Sequence, residues 1–219
     1  MANFDDQIRG LTSLTISSSG TSPTEAELTQ FLTDGAKEVI NSLPNALQEK
    51  CMTATGVGTD FKVDLDGLGE VLYVPRENAD AGYLVPCREI PSMYGGLATD
   101  ESSLHYATVT DPVYWIDGDN SGAATLYVKP TPSTNQPAIV HHVAYPTIVG
   151  SDDSVVANFP DELEYLVVLY AAIKIVERQL VEEEDIELYI PIIATLKQDY
   201  MQALQASGLL ERPKQERTK

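Results

Sequence analysis

Apolar residues recur at helical spacing early in the chain: Leu28, Phe31, Leu32, Ala36, Val39, Ile40 and Leu43 share one face. Ser22 is placed to cap this helix, Pro23 suits a first helical position, and Glu25 completes an S-x-x-E capping box. Pro44 marks its end. The preceding residues 1–21 are polar, finish in "SSSGTSP" territory, and read as an arm or loop.

From residue 50 to about 148 the period changes. Short runs rich in Val, Tyr and Thr, such as "GEVLYVP", "PVYWID", "ATLYVKP" and "AIVHHVAY", alternate with Gly or Pro. That pattern predicts a small antiparallel sheet or barrel. In "PVYWIDGDNSGAATLYVKP" two alternating runs flank "GDNSG", which predicts a β-hairpin.

Helix returns at "NFPDELEYLVVLYAAIKIVERQ", where Asn158 is a candidate cap. Nine consecutive apolar residues, Tyr165 to Ile173, follow. Leu163, Leu166, Val167, Tyr170 and Ile173 form one face; Tyr165, Val168, Leu169, Ala172, Ile175 and Val176 form another. A helix apolar on both faces needs cover on both. A three-helix bundle covers only part of it; the rest falls to the β-insertion or to a neighbouring subunit, and the subunit is favoured, with the small pair Ala171–Ala172 allowing close approach. After the acidic break "EEEDIE", a third helix is predicted over roughly 187–206, with Pro191 near its start and a stripe of Ile192, Ile193, Leu196, Tyr200, Ala203 and Leu204.

The order is helix, β-insertion, helix, helix. It implies an α+β fold: a small helical bundle from both chain ends (22–48 and 158–207) with an inserted antiparallel β-rich, barrel-like subdomain (50–150). An N-terminal arm (1–21) and a basic C-terminal tail (208–219) complete it.

Composition narrows the function. The 219 residues carry a net charge of −19, which argues against a surface that wraps phosphates or adsorbs to anionic membranes. The tail "ERPKQERTK" is the one locally basic segment, through Arg212, Lys214, Arg217 and Lys219. Cys51 and Cys87 are too few for a disulfide framework and are expected to be free thiols. The start lacks a basic segment followed by an apolar one, so no secretion signal is expected, and the run at 165–173 is too short to span a bilayer.

Chemistry-bearing residues are sparse. The pair His141–His142 resembles a metal site, but neighbours on a strand point to opposite faces, so one ion does not take both. "DGDNSG", Asp117 to Gly122, matches the start of a calcium loop. Val128 stands where the bidentate Glu is required, so a hairpin turn is the expectation. No phosphate-binding glycine loop and no serine-nucleophile motif is present. Neither a catalytic residue, a cofactor nor a metal is assigned. Tyr83, Tyr94, Tyr106, Tyr114, Trp115 and Tyr127 cluster in the β-part, where half-buried strand packing is favoured over a sugar- or partner-binding face.

The stretch Asn158–Leu180, the acidic break and "ELYIPIIATLKQDYMQALQ" together resemble the C-terminal half of head-to-tail adaptor proteins of tailed bacteriophages. The resemblance covers about residues 22–207 and is motif-like over 158–204. It implies a non-enzymatic virion protein, made in the host cytoplasm and located in the neck. It implies a homo-oligomeric ring, commonly of twelve copies, which joins the portal to the tail tube or nozzle and extends the channel for double-stranded DNA without binding it specifically.

On that resemblance, Leu166, Leu169, Tyr170, Ile173, Val176 and Tyr200 are expected to pack between subunits. Arg212, Lys214, Arg217 and Lys219 are expected to dock the portal, and the loop with Asp117, Asp119 and Asn120 to face the tail or a neighbouring copy. Alternatives are another neck or tail-tube component, or a carbohydrate-binding or hydrolytic virion protein.

Overall fold

A computed structural model describes residues 2–18, 23–78, 82–118, 122–182 and 186–209. The chain divides into two compact units: Met1–Cys51 with Tyr145–Lys219, and Met52–Ala144.

The first unit is helical. Residues 4–12, read above as part of an arm, instead form α1 (Phe4–Thr12). The Asn3 side chain accepts from the Asp6 N–H at 2.9 Å, and Asp5 and Asp6 sit at the positive helix end. Phe4, Ile8 and Thr12 line the buried face. Thr12 hides the stripe in the sequence, because its hydroxyl reaches burial by donating to the Ile8 carbonyl at 2.8 Å.

Helix α2 (Glu25–Ser42) starts two residues later than its sequence signal suggested. Thr24, not Ser22, is the cap, and the reciprocal box is Thr24–Glu27 rather than one ending at Glu25. The Glu27 N–H donates to Thr24 Oγ1 at 3.2 Å and the Thr24 N–H returns to Glu27 Oε2 at 2.9 Å. Ser22 lies outside the described residues. After the short α3 (Asn45–Gln48) the chain leaves the unit and re-enters at Tyr145.

Asn158 is not a cap. It adopts a left-handed φ of 51°, and the helix begins through a 3-10 turn, Asp161–Leu163, behind Pro160. Helix α4 (Glu164–Glu182) then packs against α1, α2 and the final helix α5 (Ile186–Ala206). Contact with α2 is close enough that a Cβ on Gly35 would lie 2.8 Å from Tyr170 Cδ1. The ion pair of Arg178 with Glu27, at 2.9 Å, ties α4 to the start of α2.

Among its described residues the second unit holds nine strands in two sheets. They are β1 (Met52–Val57), β2 (Lys62–Asp64), β3 (Val71–Tyr73), β4 (Pro75–Asn78), β5 (Tyr83–Pro86), β6 (Arg88–Glu89), β7 (Val113–Gly118), β8 (Ala124–Lys129) and β9 (Ala138–Val143). One sheet runs β1-β9-β4-β5, with β3 also on β9; the other runs β2-β8-β7-β6. Pairing is antiparallel except between β6 and β7. The fold is α+β, and its β-part is barrel-like only loosely, because both sheets stay open. They share a core of Val57, Val63, Val74, Cys87, Tyr114, Leu126, Val128, Ala138 and Val140. The β7–β8 hairpin forms as its alternating pattern requires, with Gly118 opposite Ala124.

Between β6 and β7 a 3-10 segment, Ser92–Thr99, folds over a second small core of Ile90, Ala98, Ala107, Val113 and Trp115. Gly95 permits this closeness: a Cβ there would lie 2.5 Å from Trp115 Cε2.

Candidate functional site

The residues of α4 expected between subunits lie inside one chain. Leu166, Leu169, Ile173 and Val176 are all buried, covered by α1, α2 and α5. Tyr170 and Tyr200 are half-buried and face each other across α4 and α5, ring centroids 6.4 Å apart. Burial, reinforced by the charge of Glu38, pushes the Tyr200 hydroxyl up to about 12. Within the chain, the four aliphatic side chains thus take their cover from neighbouring helices. The cover missing from the sequence reading comes from α1, whose apolar face was not recognised.

The uncovered helix is α5. It is as apolar in composition as α4, yet Leu196 alone among its described side chains is buried. Leu188 is 64% exposed, Ile190 55% and Met201 47%. Two open grooves border it. One, of about 350 Å³, is lined by Leu11, Pro191, Ile192, Thr195, Leu196 and Asp199; the other, of about 430 Å³, by Leu47, Glu162, Leu163, Ala203, Ala206 and Ser207. An exposed ion pair, Lys197 with Glu177 at 2.9 Å, links α5 to α4. Glu177 also pairs with Lys174 at 3.1 Å. Helix α5 therefore leaves Leu188, Ile190 and Met201 on an exposed surface.

Other expectations resolve individually. His142 is buried; its Nε2 lies 3.0 Å from Thr55 Oγ1 and its Nδ1 3.0 Å from the Val143 carbonyl. His141 points the other way and stacks on Tyr73 at 4.4 Å. Burial and the neighbouring His142 hold its pKa below the ordinary imidazole value. His105 stacks on Tyr94 at 4.5 Å. All three are engaged in packing or strand hydrogen bonds. No group of His, Cys, Asp or Glu suited to hold a metal occurs among the described residues.

Asp117 belongs to strand β7, opposite Thr125, and so is not the first residue of a loop. Asp119 and Asn120 lie outside the described residues, as do Arg212, Lys214, Arg217 and Lys219. Of the aromatic cluster, Tyr114 and Trp115 are buried, Tyr94, Tyr106 and Tyr127 half-buried, and Tyr83 exposed. Cys51 and Cys87 are free and buried; burial pushes the Cys87 thiol up to about 12 and the Cys51 thiol above its ordinary value.

Arg76 was not singled out by sequence reasoning, because "VPREN" lacks any strand-like alternation. It is 2% exposed, and Nη2 donates to Gln136 Oε1 at 2.9 Å and to the Thr131 carbonyl at 3.3 Å. It fixes the loop before β9 from within the core.

No helix among the described residues is long and apolar enough to cross a membrane. What the arrangement offers is protein-binding surface on a two-unit α+β scaffold: the class is an assembly protein. A family model for the SU10 adaptor protein matches residues 5–218, nearly the whole chain. The chain belongs to that family of phage head-to-tail adaptors. Membership supports a structural connector role in the neck of the virion, in association with portal and tail components. No curated protein sequence matches the chain.

Proposed function

We propose that the protein assembles into a homo-oligomeric ring, commonly dodecameric in such adaptors, that joins the portal to the tail and extends the DNA channel. The observation that carries this reading is the exposed apolar surface of α5, which a second copy would cover. Adaptor family membership supports the same role. The protein acts without catalysis, through contacts alone, and is made in the host cytoplasm before joining the virion.

The basic residues Arg212, Lys214, Arg217 and Lys219 dock the portal, and the hairpin tip with Asp117, Asp119 and Asn120 faces the tail or a neighbour. Twelve copies at −19 each carry about −230, so DNA phosphates find a repelling wall and slide past. The test is to mix the purified chain with its cognate portal and count symmetry in electron micrographs. A ring on the portal, lost on deleting 208–219, is the expected outcome. Folded protein that never binds portal would overturn the reading.

A further inference from the structure

The two sheets of the β-unit end differently. The sheet β2-β8-β7-β6 is closed off by charge: β2 carries Lys62 and Asp64, and β6 carries Arg88 and Glu89. Arg88 is held by Asp111 at 3.0 Å and Glu89 accepts from the Tyr114 hydroxyl at 3.2 Å. Charged end strands are the usual guard against edge-to-edge pairing. The sheet β1-β9-β4-β5 has no such guard. Its terminal strands, "MTATGV" and "YLVP", contain no charged residue in a chain with 33 acidic ones. Among the described residues β1 pairs only with β9 and β5 only with β4, leaving one backbone edge of each unpaired. On β5, Tyr83 and Leu84 are 57% and 54% exposed.

We propose that this sheet continues from copy to copy, the β5 edge of one chain pairing with the β1 edge of the next. The proposal rests on the ring reading and names its second contact. Three features select a second copy as the occupant. First, β1 and β5 lie at opposite ends of one sheet, so joining them is a head-to-tail contact, the kind that closes into rings. Second, strand directions alternate through β1, β9, β4 and β5, so a neighbour in the same orientation presents β1 antiparallel to β5. Third, chains at −19 repel one another, and contact is favoured where both surfaces lack charge.

The experiment uses single variants Ala54→Cys and Leu84→Cys of the full chain, assembled on the cognate portal and treated with a short bismaleimide. Cys51 and Cys87 are buried and stay silent. Cross-linked dimers are expected when the two variants are mixed and absent from either alone. Leu84→Lys and, from the other edge, Ala54→Lys are each expected to remain folded by circular dichroism and lose rings on the portal. Wild-type rings without the mixed cross-link, indifferent to both lysines, would overturn strand pairing while leaving the ring reading intact. Cross-linking of Leu84→Cys to itself would overturn it in favour of a two-fold contact. Absence of any wild-type ring on portal would overturn both readings together.

Discussion

At the scale of single residues the helical unit depends on the Thr24–Glu27 box and its link to Arg178. Removing the cap with Thr24→Ala is expected to cost about 1 kcal/mol in urea unfolding, since a helix N–H loses its acceptor. Glu27 is also a pH element. Its carboxylate accepts from the Thr24 N–H and from Arg178, and these hold its pKa below the ordinary glutamate value of 4.5 against the opposing effect of burial. A folded pKa below the unfolded one means the contribution is complete above pH 4.5 and is lost as pH falls toward the lowered folded value. Glu27→Gln should therefore reduce stability at neutral pH and flatten the acid limb of a stability–pH profile; an unchanged acid limb would contradict the role. Gly95 offers a second test, read by the sole tryptophan. Gly95→Ala drives a methyl into Trp115, so about 1–3 kcal/mol should be lost and the emission of Trp115 should shift as its 3-10 cover lifts.

At the scale of elements the contrast between α4 and α5 separates fold from assembly. Leu169→Ala opens the core and is expected to cost about 2–5 kcal/mol. Ile190→Glu touches an exposed position and should change stability by no more than about 0.5 kcal/mol while abolishing ring formation on the portal. Loss of folding in the second variant, or intact rings, would contradict the division. Both helices were legible in sequence from their apolar spacing, as was the β7–β8 hairpin from its alternation. What covers α4 was not. The face of α1 holds Phe4 and Ile8 but closes on Thr12, whose hydroxyl is satisfied by its own helix, so the stripe looks polar. An all-apolar helix states that it is buried on every side but not by what. The cap of α2 was displaced by two residues because Ser and Thr satisfy the same local rule and the backbone path chooses between them, whereas the turn that leads into α4 starts at Pro160 with no side-chain cap bond. Arg76 was invisible for a related reason: a charge reads as surface until a loop carbonyl and an amide are brought around it.

At the scale of the whole molecule, charge and the proposed channel make one further claim testable in solution. A protein that wraps DNA shows an affinity that falls with salt, in proportion to the phosphates it neutralises. A net charge of −19 gives this chain no such driving force, even though four of its 14 basic residues gather within 212–219. Anisotropy of a labelled duplex should therefore show no binding by the free protein, even at low ionic strength, where electrostatic attraction is strongest. The tail is the place where this expectation would break. If Arg212, Lys214, Arg217 and Lys219 contacted phosphates, binding would appear at low salt. It would weaken with a log–log slope of several units, and vanish on deleting 208–219. That outcome would reassign the tail from portal to DNA and end the sliding argument for the acidic chain. Absence of binding in both forms, with the deletion still losing portal attachment, would place the function of the tail in protein docking and leave the acidity as the term that keeps DNA free to pass.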